Sequence, residues 1–498
     1  MTKAERKGCT SMVGEINESV VASTAEHCRK RGILIPTLSQ QKDPSLIPDT
    51  VKNRLKGIGL WDVDPLNLFR ITWKNEPVEK GGLFNNGNWI EFPSALTGVD
   101  ARIIGIVGNY FPTGAHKVGA AFGCLVPRLV TGQFDPKTQK AVWPSTGNYC
   151  RGGAFDCALL GCTAVAILPE EMSQERFTWL KEIGAEVIAT PGCESNVKEI
   201  YDKCWEIRDT RKDCVIFNQF EEFGNAMWHY HVTGGIVEEI YKRVRREGDR
   251  LAAYISSTGS AGTIAAGDYL RTLHPHITVT ASEALQCPTL LNFGFGGHRI
   301  EGIGDKHVPW VHNVRNTDFV TAIDDEMCYG VMRLFNESAG QDYLAKQGVD
   351  SKLIEKLPLL GISSISNLLS AIKTAKYFEY NSRDVIFMPL TDAMSLYASR
   401  LEEETAAHGP YKAEAAARHF SLCLEAATTD HCRELGYVDR KALHNFKYYT
   451  WVEQQQRDVE DLRKLWDPDF WTEMFSQAEQ WDESIEEFNE RSGVLADL

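Results

Sequence analysis

Three features of this chain have residue types and spacing suited to chemistry: a lysine opening a helix, a glycine-hydroxyl run between a strand and a helix, and a hydroxyl at a strand end. The lysine is Lys117, in Asn109-Tyr-Phe-Pro112-Thr113-Gly114-Ala115-His116-Lys117, directly after a β-branched run. Pro112 and Gly114 set a turn, and the lysine leads into a helix expected over Val118–Leu129. A lysine there stands above the carboxyl edge of a parallel sheet, where α/β proteins bind ligands. Taken alone, the same spacing also describes an exposed loop lysine.

The glycine-hydroxyl run is Ser256-Ser257-Thr258-Gly259-Ser260-Ala261-Gly262-Thr263. Small residues let the backbone approach an anion, and the following helix adds its dipole and free N–H groups. It lacks the Gly-Lys-Ser/Thr ending of a nucleotide loop and the spacing of a dinucleotide fingerprint. A plain connecting loop is the alternative. A second loop, Pro144-Ser145-Thr146-Gly147-Asn148-Tyr149, again meets a helix start, where N–H groups accept a carboxylate or phosphate. A simple helix cap by Ser145 or Thr146 would use the same residues. The strand-end hydroxyl is Thr391, after Val385–Pro389 and beside Asp392. Extended chain alternates its side chains, so only one of Thr391 and Asp392 can face a site.

These loops need elements to position them. β-branched runs at Ala101–Val107, Ala164–Leu168, Glu186–Ala189, Cys214–Phe217, Leu251–Ser256, Ile277–Ser282 and Val385–Pro389 alternate with helical stretches, including Ser173–Ile183. That alternation predicts an α/β fold with largely parallel sheets covered by helices. Residues 1 to about 90 read as a polar, irregular entry with few periodic segments. After about 400, Glu, Ala, Lys and Gln dominate, and Leu401–Leu435, Tyr448–Trp466 and Trp471–Asn489 read as helices. This tail is expected to pack on the catalytic body or on a second subunit.

At 498 residues the chain exceeds one ordinary domain. Its formal charge of −15 argues against nucleic acid as a partner. The 13 cysteines are scattered, and the polar start shows no secretory pattern, so a reduced, cytoplasmic setting is expected. No run approaches the ~20 apolar residues of a membrane span. Cys150, Cys157 and Cys162 have no metal-binding spacing, and no metal is expected.

Read in order, the loops resemble the cysteine synthase and cystathionine β-synthase family, the fold type II pyridoxal-phosphate (PLP) enzymes. Phe111-Pro112-Thr113-Gly114-Ala115-His116-Lys117 is similar to the family's Asn-Pro-Thr-Gly-Ser-x-Lys, with Phe in the Asn place. Ser145-Thr146-Gly147-Asn148-Tyr149 resembles its Thr-Ser-Gly-Asn-Thr loop. Ile167–Arg176, Asn218-Gln219-Phe220, the 258–263 loop, His298–Gly304 and Pro389-Leu390-Thr391 follow in family order. The resemblance covers roughly residues 90–400. Departures are Val118-Gly119 in place of Asp-Arg, Tyr149 in place of a small threonine, and Cys150 in place of a glycine.

The resemblance implies the following roles. Lys117 forms the Schiff base with PLP and removes the substrate α-proton. Asn148 bonds the pyridoxal 3′ oxygen. Thr258, Gly259, Ser260, Ala261, Gly262 and Thr263 cradle the phosphate, and Thr391 meets the pyridine nitrogen. Ser145, Thr146, Gly147, Asn148, Tyr149 and Gln219 are expected at the substrate. A neutral alcohol on the ring nitrogen favours β-replacement or β-elimination on serine, O-activated serine or cysteine through an aminoacrylate, the chemistry of a lyase or transferase. Alternatives are a threonine/serine dehydratase or cysteine lyase releasing a keto acid and ammonia, and a non-catalytic PLP-binding interaction protein. The expected architecture is an N-terminal extension (1–90), a large PLP domain (91–139 and 236–400), a small mobile substrate domain (140–235) and a helical C-terminal extension (401–498). The expected assembly is a homodimer. Haem ligation by Cys9, His27 or Cys28 is not expected, because their spacing differs from cystathionine β-synthase.

Overall fold

The computed structural model describes residues 16–145, 147–193 and 195–497; Cys9 lies outside them. In chain order its strands are β1 (Trp89–Phe92), β2 (Arg102–Val107), β3 (Lys140–Pro144), β4 (Thr163–Pro169), β5 (Glu186–Thr190), β6 (Cys214–Ile216), β7 (Arg250–Ser257), β8 (Thr278–Ala284), β9 (Phe319–Ile323), β10 (Asp384–Leu390) and β11 (Cys432–Glu434). They form a seven-stranded sheet, β1-β2-β10-β7-β8-β9-β11, and a four-stranded sheet, β5-β4-β3-β6. The smaller sheet is wholly parallel. In the larger, five inner parallel strands are flanked by antiparallel β1 and β11.

β2 and β10 are buried at every position. Helices therefore cover both faces, as continuous apolar runs require. One apolar core fills the space between the sheets and reaches the terminal segments; another lies on the opposite face of the larger sheet, under the helix Ile362–Tyr377.

Both ends of the chain differ from the sequence expectation. Residues 16–55 of the entry are not irregular: they hold helices Glu18–Arg31, Leu38–Lys42 and Asp49–Leu55. Leu401–Leu435 is not one helix but Ala398–His408, Ala413–His419, a π turn at Phe420–Glu425 and then β11. Tyr448–Trp466 likewise divides: a helix over Tyr437–Tyr448 runs into a π turn at Tyr449–Gln454, and Val459–Lys464 follows. Trp471–Asn489 divides at Gln477 into Pro468–Ser476 and Ala478–Ser492.

The two ends pack on each other and on the body. Asn489 donates to the Ile35 carbonyl at 2.7 Å and accepts from its N–H at 3.1 Å, and Asp482 accepts from the Leu38 N–H at 2.6 Å. The tail also bridges the sheets. Trp451 Nε1 donates to the Val308 carbonyl on the large-sheet side, while Arg457 pairs with Glu221 and Trp205 donates to Gln455 on the other. No described helix is long and apolar enough to cross a membrane.

Candidate active site

Every chemically suited loop leaves the carboxyl end of a parallel strand: 108–117 follows β2, 145–149 follows β3, 217–219 follows β6, 258–263 follows β7, and 391–392 follows β10. Lys117 is the first residue of the helix Lys117–Val130. The turn before it needs left-handed backbone at Thr113 (φ 67°) and Gly114 (φ 69°). Phe111 anchors that turn from below, packed edge-on to Trp73 and Trp228 with ring centroids at 5.0 and 5.9 Å. An aromatic core under the lysine turn accounts for Phe at a position where the resembled motif has Asn.

The half-buried Lys117 Nζ donates to Ser260 Oγ at 2.9 Å and reaches Gln219 Oε1 at 3.5 Å. Asn225 Nδ2 donates to the same Ser260 Oγ and to the Gln219 carbonyl, both at 3.0 Å. Two donors occupy the Ser260 lone pairs, so its own hydroxyl hydrogen is available to an acceptor in the loop. Asn225 thus ties the lysine, the 258–263 loop and the 219 loop together. Within that loop Ala261 is left-handed (φ 58°), the backbone alternation that turns successive N–H groups toward an anion. Thr258 is spent on the scaffold: its N–H and hydroxyl both meet the Ser282 carbonyl, at 2.8 and 3.0 Å.

The 145–149 loop is arranged differently from its sequence reading. Ser145 does not cap the helix. Its Oγ accepts from the Gly147 N–H at 3.1 Å, and the Asn148–Leu160 helix begins after Gly147 without a side-chain cap. Tyr149 turns its ring into the core against Trp143 and donates to the Phe217 carbonyl at 3.2 Å, leaving only its backbone at the loop. Thr146 lies outside the described residues. Asn148 Nδ2 donates to Asp392 Oδ2 at 2.6 Å, and its buried Oδ1 has no partner. An amide NH₂ carries a second hydrogen, so Asn148 can be oriented by Asp392 and still donate to a ligand.

Thr391 and Asp392 follow directly on the end of β10. The Thr391 carbonyl accepts from the His116 N–H at 3.3 Å, which sets this half-buried residue beside the lysine turn. Asp392 is fully buried. Its Oδ2 accepts from both Asn148 and Tyr397, each at 2.6 Å. Tyr397 in turn accepts from Arg176 at 2.9 Å, Arg176 pairs with Glu301 at 2.9 Å, and Glu301 pairs with Arg400 at 2.7 Å. Burial pushes the Asp392 carboxyl up, against the pull of Tyr397, Arg176 and Asn148. This chain of partners had no local signal in the sequence beyond the "ER" of Glu175-Arg176.

Three further titratable groups surround the lysine. His116 and His229 pack edge to face at 4.9 Å, and burial, reinforced by the lysine charge, holds both imidazoles neutral. Asp305, which sequence reasoning did not single out, is buried and pushed up to about 7, with the Lys117 charge opposing the rise. Its only sequence signal is its place directly after His298–Gly304.

A lysine and a glycine-hydroxyl loop facing each other across parallel strand ends are an arrangement suited to an α/β enzyme with a phosphorylated cofactor. The chain belongs to the pyridoxal-phosphate dependent enzyme family, whose description matches residues 109–342. It is 30% identical over 266 residues to a probable cysteine synthase of Bacillus subtilis, spanning 53% of this chain and 78% of that one. It is 26% identical over 365 residues to the cystathionine beta-synthase of Saccharomyces cerevisiae, spanning 71% and 68%. A hydrogen sulfide-producing enzyme from Fusobacterium nucleatum shares the fold with a TM-score of 0.53 at 23% identity, over 62% of this chain and 96% of that one. An O-acetylserine dependent cystathionine beta-synthase from Helicobacter pylori does so with a TM-score of 0.52 at 23% identity, over 63% and 94%.

The residues present fit pyridoxal phosphate. The 258–263 loop has no acidic side chain and a left-handed kink, Lys117 faces it, and Asn148 offers a spare donor and an orphaned oxygen. Gly262 is required there, because a Cβ would stand 1.9 Å from Asn225 Oδ1. Gly262→Ala must displace Asn225, and Ser260 and Gln219 with it. Cofactor affinity is expected to fall about 10- to 100-fold, ~1.4–2.8 kcal/mol. Titrating the stripped protein with cofactor by visible absorbance checks this; wild-type affinity in the variant would refute the tie role of Asn225.

Proposed function

We propose that this enzyme catalyses β-replacement on a serine-like amino acid, with Lys117 as both the cofactor's covalent anchor and the base at the substrate α-carbon. The observation that carries the reading is the placement of Lys117 Nζ between the Ser260 loop and Gln219, with the Thr391 backbone beside the same turn. The relatives that match most of their own length, named as cysteine synthases, support the same chemistry. Bound at this site, the cofactor supplies an electron sink for charge developing at the α-carbon. The chain does the rest. The 145–149 loop and Gln219 hold the substrate carboxylate, the buried neutral histidines exclude water beneath the lysine, and Lys117 Nζ accepts the α-proton and returns it. The 140–235 segment, which carries the smaller sheet, is the part we assign to closing over the substrate. A homodimer in a reducing cytoplasm completes the reading, consistent with every described cysteine being a free thiol.

The direct test supplies serine, O-acetylserine or cysteine to the holoenzyme with and without sulfide or a thiol. Thiol-dependent formation of a new amino acid is expected. Pyruvate and ammonia released whether or not a thiol is present would assign elimination instead, and no change in the cofactor's visible band with any donor would overturn the reading.

Thr391 sets the reaction class in this account. Thr391→Ala removes one hydrogen bond, about 1 kcal/mol of cofactor binding. Thr391→Asp places a carboxylate at the same point, which would hold a ring nitrogen protonated and strengthen the sink. Loss of β-substitution with a gain in transamination is expected; unchanged partitioning would show that Thr391 does not face the ring.

A further inference from the structure

Arg151 stands in the first turn of the helix Asn148–Leu160, one turn beyond Asn148. It is 2% exposed, its Nε and Nη1 are buried without a hydrogen-bond partner, and no carboxylate pairs with it among the described residues. The other similarly buried arginines all have acceptors. Arg70 donates to the Ile58, Leu55 and Gly82 carbonyls, Arg102 to Glu91 and Asp249, and Arg333 to Glu337 and the Gly409 carbonyl, while Arg176 donates to Tyr397 and forms an ion pair with Glu301. Among the described residues the Arg151 guanidinium lies against rings, with Trp179 at 4.8 Å and Trp61 at 5.8 Å from its carbon.

Cation–π stacking satisfies the face of a guanidinium and leaves the N–H groups of its edge unused. Buried donors without acceptors are few in folded proteins, and ordered water, an ion or a ligand is what satisfies them. A planar fork of N–H groups is matched by an oxyanion, which it binds through two parallel hydrogen bonds. Burial and the neighbouring Arg176 charge pull this guanidinium down to about 10, as expected of a cation short of counter-charge.

Its position ties it to the substrate loops. At Gly152 a Cβ would stand 2.7 Å from Val118 Cα, so this turn abuts the backbone just after Lys117. Trp61 lies against the lysine turn, its ring 3.2 Å from where a Cβ on Gly114 would be, and Arg176 packs beneath Gly147. The Arg151 guanidinium therefore sits where the lysine turn, the 145–149 loop and the N-terminal extension meet. Trp61, 44% exposed, is its outer cover.

We propose that Arg151, roofed by Trp61, is an oxyanion receptor that reads a carboxylate or phosphate carried by one of the substrates, in addition to the donor's α-carboxylate. The assignment rests on the β-replacement reading and adds to it a specificity residue supplied jointly by the catalytic body and the N-terminal extension. Either the donor's leaving group or the incoming nucleophile could bear the oxyanion, and matched pairs separate the two. O-phosphoserine is compared with O-acetylserine as donor, and homocysteine with the uncharged thiol 2-mercaptoethanol as acceptor, all with holoenzyme.

In Arg151→Gln, KM for the anion-bearing member of one pair is expected to rise about 10- to 100-fold, while its neutral partner changes less than about 3-fold. Arg151→Lys, which keeps the charge but loses the fork, should fall between; it also serves if the Gln variant does not fold. The pair that responds names the substrate bearing the oxyanion. Equal changes for neutral and anionic members, or none for either, would reduce Arg151 to a structural clamp and overturn the proposal. Binding of inorganic phosphate to the holoenzyme, measured calorimetrically, separates the two readings. Phosphate bound by wild type and lost in Arg151→Gln supports the receptor even if no donor is turned over, a result that would sink the β-replacement reading alone. Turnover of neutral donors, with no phosphate binding and no discrimination within either pair, would sink the receptor alone.

Discussion

Lys117→Ala will leave a folded protein whose turnover falls by about a thousandfold or more, the scale expected when one group serves as both covalent anchor and base. The fold should survive, because the side chain is half-buried and Ser260 and Gln219, which it meets, keep Asn225 as a partner. Lys117→Arg should be just as inactive. It retains the positive charge, but a guanidinium does not lose its proton at any working pH and so cannot act as nucleophile or base. Partial recovery of Lys117→Ala by a small soluble amine would locate the defect in proton transfer at the α-carbon. Turnover within tenfold of wild type in either variant would remove Lys117 from the chemistry.

Asp392→Ala will be the most destabilising of the site substitutions. The carboxyl is fully buried and accepts from Asn148 and Tyr397, behind which stand Arg176, Glu301 and Arg400. Truncation leaves Asn148 Nδ2 and the Tyr397 hydroxyl without an acceptor in a sealed space and removes a negative charge facing Arg176. Breaking such a buried network by removing one member costs about 3–5 kcal/mol. Asp392→Asn keeps an oxygen where both donors converge but removes the charge and buries an amide N–H where Oδ1 has no partner, so a smaller loss, about 1–3 kcal/mol, is expected. Urea unfolding of the two variants checks the contrast. The visible spectrum gives a second reading: with Thr391 rather than Asp392 at the ring, Asp392→Asn should retain a near wild-type band. Equal, small losses of stability would show the network to be slack, and a strongly altered spectrum in Asp392→Asn would make Asp392 the partner of the ring nitrogen.

The parts of the fold legible in the sequence are those whose local signal and tertiary role agree. β2, β4, β7, β8 and β10 are apolar, β-branched runs, three of them (β2, β7 and β10) running into Gly, Ser or Thr loops, and burial on both faces makes such runs continuous. β3 was missed because Lys-Ala-Val-Trp-Pro mixes a charge and a proline into five residues. β11, only Cys-Arg-Glu, owes its strand to pairing with β9 and has no signal of its own. The Glu18–Arg31 helix buries Val21, Thr24, Ala25 and Cys28 at helical spacing, but with residues so small and polar that the stripe reads as irregular chain.

The site followed the same division. Lys117, Asn148 and the 258–263 loop announce themselves by type and neighbours. Asp392 does not, because its partner Asn148 is 244 residues away and only the meeting of β3 and β10 ends brings the two together. Tyr149 was placed at the substrate for its position in the loop, yet helix geometry sends its ring inward to Trp143. Arg151 looks in the sequence like an ordinary charge on an ordinary helix; its isolation appears only once Trp61 and Trp179 have closed around it.

Borohydride reduction of the holoenzyme followed by peptide mapping tests the central claim most directly. The account predicts a single pyridoxyl group, on the peptide containing Lys117. A label on any other lysine, or no stable label on a protein that turns over substrate, would contradict it.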